Sequence, residues 1–84
     1  MPEVEVGRVS DYFAHVGVAG IELSGTLREG DTIHLKGHTT DFEQVVESLQ
    51  IEHANVQEAG AGQSIGVKVQ ERCRHGDHVY KVTE

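Results

Sequence analysis

The tightest constraint on this chain is where its apolar side chains fall. Thr32-Ile33-His34-Leu35-Lys36 and Ser64-Ile65-Gly66-Val67-Lys68-Val69-Gln70 place an apolar residue at every second position. A period of two is the pattern of a strand with one buried face. Val and Ile together number 16 and Leu only 4. β-branched side chains are stiff in helices and fit a pleated surface. The 10 glycines supply turns, bulges and bends, and the single proline, at position 2, leaves later strand pairing uninterrupted. The chain is therefore expected to be all-β.

Val4, Val6 and Val9 begin an apolar series that changes parity at Gly7-Arg8. Val16 and Val18 continue on even positions, then Ile21 and Leu23 on odd ones. A parity change flips the buried face unless an extra residue is absorbed, so bulges or bends are expected near Gly7 and Gly20. Residues 24–31 read as a turn, 55–62 as a loop, 72–77 as a turn and 79–82 as a final strand. Arg28-Glu29-Gly30-Asp31-Thr32-Ile33 is echoed by Arg74-His75-Gly76-Asp77-His78-Val79. Gly supplies φ > 0 and Asp bonds its own neighbouring backbone, so each copy predicts a tight entry into a strand. The stretch from Thr40 to Glu52 is ambiguous. Phe42, Val45, Val46 and Leu49 fall at i, i+3, i+4 and i+7, a helical stripe, while Val45, Leu49 and Ile51 share one strand parity.

Length and charge exclude several classes. The 84 residues allow one domain, residues 1–84, with a small core and no separate cofactor domain. Seven basic against 14 acidic residues give a net charge of −7, which opposes broad wrapping of a phosphate backbone. No apolar run approaches the roughly 20 residues of a membrane span. The acidic start, Met1-Pro2-Glu3-Val4-Glu5, lacks the layout of a signal peptide. Cys73 is the only cysteine, which fits a reducing cytoplasm. No phosphate-loop motif is present, so no nucleotide is expected, and neither enzymatic activity nor a cofactor.

Gly7-Arg8-Val9, then Leu27-Arg28-Glu29-Gly30-Asp31-Thr32-Ile33, Val46-Glu47-Ser48-Leu49-Gln50, Ala59-Gly60-Ala61-Gly62-Gln63-Ser64-Ile65-Gly66-Val67 and Arg74-His75-Gly76-Asp77-His78-Val79 follow in a recognisable order. This series resembles the second domain of the translational GTPases, the elongation factor Tu family barrel, from about Glu5 to Val82. It looks closest to small stand-alone elongation-factor-like proteins of unknown role. Similar barrels also occur as appended domains in collagenase-like peptidase-family proteins. The resemblance implies a small closed antiparallel Greek-key-like barrel of about six strands, and favours strand for residues 40–52. It implies a non-enzymatic binding or adaptor module, with tRNA, ribosomal RNA or a translation-associated protein as partner.

Candidate sites follow. Arg8, Lys68, Arg72 and Arg74 are cations suited to phosphate, and Tyr12 and Phe13 offer one ring to stack on a base. Cys73, His75 and His78, with His34 or His38 as a fourth ligand, are weak zinc candidates. Cys73 beside Arg72 and Arg74 is a candidate low-pKa thiol. Asp41, Glu43, Glu47 and Glu52 form an acidic face that, with an open strand edge, would instead suit a basic protein or self-association.

Overall fold

The computed structural model describes residues 3–52 and 54–82. Its strands are β1 (Glu3–Phe13), β2 (Val18–Leu23), β3 (Leu27–Arg28), β4 (Thr32–Lys36), β5 (Asp41–Val45), β6 (Leu49–Ile51), β7 (Ala54–Asn55), β8 (Glu58–Ala59), β9 (Ser64–Lys68) and β10 (His78–Val82). The fold is all-β, and no helix among the described residues is long and apolar enough to cross a membrane.

The ambiguous stretch is strand. In β5, Phe42 and Gln44 face inward while Asp41, Glu43 and Val45 face out. A helix would have buried Val45 beside Phe42, yet Val45 is 48% exposed. Both expected irregularities lie on β1. The register slips between Glu5 and Gly7 against β10, and between Val9 and Asp11 opposite Gly20 and Ile21. β2 itself is unbroken, with Ala19, Ile21 and Leu23 all inward. The apparent parity change came from Val16 and Val18, which are not core residues at all.

Strand order in the main sheet is β5-β4-β10-β1-β2-β9-β6-β7, every pairing antiparallel, with β3 and β8 forming a separate ladder. The sheet curls round one core that includes Val9, Ile21, Leu27, Ile33, Leu35, Leu49, Val67 and Val79. A closed barrel of about six strands is expected from the resemblance, whereas the sheet here is open: β5 and β7 are its edges, with no ladder between them among the described residues. Other bonds hold the rim. The Gln44 side chain donates to the Lys68 carbonyl (2.8 Å) and accepts the Gln70 N–H (2.7 Å). Val46 and Asp31 join through Val46 N–H to Asp31 C=O (2.8 Å), and Gly30 N–H donates to Val46 C=O (2.9 Å).

The echoed motif builds the same turn twice. Asp31 Oδ2 accepts the Arg28 N–H (2.9 Å) and Asp77 Oδ2 the Arg74 N–H (2.8 Å). Gly30 and Gly76 take φ of 95° and 92°, where a Cβ is strained. One turn leads into β4 and the other into β10, two strands that pair with each other.

Candidate binding groove and its charged surroundings

Strand register builds a concavity on one outer face of the sheet. Asp11, Gly20, Gly66, Gln50 and Asn55 stand side by side across β1, β2, β9, β6 and β7. Their neighbours Ala19, Ile21, Ile65 and Val67 are buried, so alternation turns Gly20 and Gly66 to the outer face. Two adjacent positions without side chains leave a trough. Its walls include Phe13, Val16 and Val18 on one side and Gln50 and Glu52 on the other, enclosing about 540 Å³. That size lies within the range of small-ligand and side-chain pockets. Neither glycine is dictated by its backbone, since neither has positive φ. A Cβ on Gly20 or Gly66 would meet its nearest neighbour at 3.4 Å, an ordinary contact. What a side chain there would do is fill the trough. The exposed apolar residues Phe13 (47%) and Val16 (53%) both border it.

The candidate RNA residues lie on β1, on β9 and in the connection from β9 to β10. Tyr12 is half-buried against the core, while Phe13 faces out in a row with Val18 and Lys68. Arg8 lies five residues back along β1, beyond a bulge, beside Glu22 and His78. Arg72 and Arg74 sit in the connection between β9 and β10. Strand register thus sets Phe13 and Lys68 in one row, while the turn that holds Arg74 bonds Val9, the neighbour of Arg8. The groove residues Val16, Val18, Gly20, Gln50, Ser64, Ile65 and Gly66 were missed as site residues. The available signal was a glycine inside each of two strand patterns, which marks a close approach or an open surface.

The thiol expectation is corrected. Cys73 is 2% exposed, and burial, with Asp77 and Glu71 adding to it, pushes its pKa up to about 12. Burial outweighs Arg72 and Arg74, whose side chains are exposed. Cys73, His75 and His78 do not converge. Among the described residues, the ligand atoms of Glu3, His34 and Glu43 do, all within 4.8 Å of one another. The His34 nitrogens there are already engaged: Nδ1 lies 2.8 Å from Glu3 Oε2 and Nε2 2.5 Å from Asp41 Oδ1. Ionised carboxylates only accept, so both contacts are hydrogen bonds when both ring nitrogens carry protons, and the pair of carboxylates favours the imidazolium.

A pH dependence follows. The hydrogen bond to Asp41, reinforced by Glu3, raises the His34 pKa above its ordinary 6.5 against the opposing effect of burial. Its stabilisation is full below 6.5 and is lost as pH rises through the raised value. The His34 bond lowers the Asp41 pKa below 3.8, so that carboxylate's share is present above 3.8 and lost as pH falls through the lowered value. Thermal melts from pH 6 to 9 should show wild type losing up to about 1 kcal/mol more than His34→Ala, as for pairs near the surface. Parallel curves would remove His34 from the account.

The chain resembles known proteins. The chain is 45% identical over 83 residues, 98% of its length, to an uncharacterised protease of Methanocaldococcus jannaschii. It is 38% identical over 81 residues, 94% of its length, to a collagenase of Porphyromonas gingivalis. It spans about one fifth (20%) of the length of each. The C-terminal domain of a Geobacillus thermoleovorans protein named as a U32 peptidase superposes with a TM-score of 0.87 at 23% identity, covering 93% of this chain and 91% of that one. These findings overturn the expected kinship with stand-alone elongation-factor-like proteins and the expected RNA-contacting role in translation: the similar proteins are named as proteases and collagenases. The domain family itself stands, because the match to the model of elongation factor Tu domain 2 spans residues 18–71, and the chain belongs to that family.

Proposed function

We propose that this chain is a non-catalytic binding domain of a U32-type peptidase, holding an extended segment of protein substrate in the groove over Gly20 and Gly66. The single observation that carries this reading is the apolar trough of about 540 Å³ that two paired glycines keep open on an outer sheet face. Three features support it. The relatives are named as proteases and collagenases, and the chain matches only about a fifth of their length (20%), as an accessory part would. The single thiol is buried and protonated, so it is no nucleophile. The groove lining carries Glu52, which repels phosphate, and no Lys or Arg.

The test is fluorescence anisotropy with labelled peptides from gelatin and casein. A fitting peptide should bind with Kd in about the 10–100 µM range, typical of a small weak site. Gly66→Val fills the trough with a good strand former and should weaken binding at least about tenfold, or 1.4 kcal/mol. Absence of binding at millimolar peptide, or unchanged binding by the folded Gly66→Val variant, would end this reading.

A further inference from the structure

Resting on the groove as a peptide site, we infer that it selects a basic side chain, Lys or Arg, and that Glu52 is the residue that makes the selection.

The first observation is conformational. Ile51 pairs with Ala54, so β6 and β7 are joined through only two residues, 52 and 53. Glu52 has φ of 51° and is the only non-glycine residue with positive φ among the described residues. Tight connections of this kind favour Asn, Asp or Gly, which tolerate that region. A glutamate there costs stability, and its exposed side chain forms no ion pair among the described residues that would offset it. What it does supply is a carboxylate on the groove wall. Backbone strain retained beside a concavity points to a role in that concavity.

The second observation is chemical. Gln50 uses one of its two side-chain N–H groups on Asn55 Oδ1 (3.2 Å), and its Oε1 remains an acceptor on the groove wall that Glu52 also lines. That end of the groove therefore offers acceptors, one of them charged. The opposite wall is mainly apolar, with Phe13, Val16 and Val18 beside His15, and Ile65 also lines the space. An apolar wall ending in acceptors matches a side chain with an aliphatic stem and a cationic head. The exposed Phe13 ring adds a surface that attracts a cation. A net charge of −7 draws basic segments toward the domain, whereas an acidic side chain would meet Glu52 directly.

The experiment uses four peptides identical except at a central residue, which is Arg, Lys, norleucine or Glu, titrated against the intact chain by calorimetry. Arg and Lys should bind about tenfold tighter than norleucine, and Glu weakest. Salt should erode the Arg advantage. Glu52→Gln should bring Arg down to the norleucine level. Glu52→Gly should lose the same discrimination while raising Tm, because the left-handed position suits glycine. Equal binding of Arg and norleucine to wild type, or discrimination that survives Glu52→Gln, overturns the assignment and leaves the peptide groove standing. If none of the four binds, the peptide reading itself falls, and the basic-residue assignment with it.

Discussion

Gly7→Ala should lower the urea midpoint sharply, with a loss of about 3 kcal/mol, at the upper end of what an over-packed interior costs. A Cβ at this position would lie 2.6 Å from the Glu22 carbonyl oxygen, 2.9 Å from Ile21 Cγ2 and 3.3 Å from Leu23 Cα. Two of these belong to the backbone of β2, and backbone cannot rotate away. β1 lies between β10 and β2, so separating one ladder disturbs the other. A domain of this size has only roughly 4–13 kcal/mol to lose. The same change corresponds to a fall in Tm of about 12–24 °C. The check is equilibrium denaturation with an unchanged m-value. A midpoint within error of wild type would mean that β1 and β2 are not this close.

Gln44→Leu should cost about 2 kcal/mol, although it places an apolar side chain of similar size at an almost fully buried site (7% exposed). Burial of Leu is favourable, but the Lys68 carbonyl and the Gln70 N–H lose their partner. Leaving a buried polar group unmade costs about 1–3 kcal/mol, and two such losses outweigh the apolar gain. The loss should be local as well as global. Hydrogen exchange at the Gln70 amide should accelerate more than at Val67, which sits in the β9 ladder. Equal acceleration at both positions would show that the Gln44 bridge does not hold the rim between β5 and the end of β9.

These two residues also mark where sequence reading succeeds and where it stops. Thr32–Lys36 and Ser64–Lys68 are legible because one face is buried and the other is not, which prints a period of two. The twin Arg-x-Gly-Asp turns are legible because their chemistry is local, within four residues. Gln44 is not legible. A polar residue that follows Glu43 reads as solvated, and its partners lie 24 and 26 residues away. Val16 and Val18 mislead for the opposite reason: apolar residues that border a groove look like core. The groove gathers residues from β1, β2, β6 and β9, which only strand register brings together. The role in translation fails for a further reason. One scaffold hosts many activities, so residues that specify the architecture do not specify its use.

The position of β10 governs how this molecule can assemble. His78–Val82 inserts between β1 and β4, elements that precede it by dozens of residues, and Val79 is wholly enclosed there. Before that segment arrives, β1 and β4 border a strand-wide gap, each presenting a row of unsatisfied amides and carbonyls. Hairpins can form early, but the middle of the sheet waits for residues far downstream, and such distant pairing is slow. Acquisition of structure should therefore be nearly all-or-none, with nascent or truncated forms ending before residue 78 prone to stick to one another through those vacant rows.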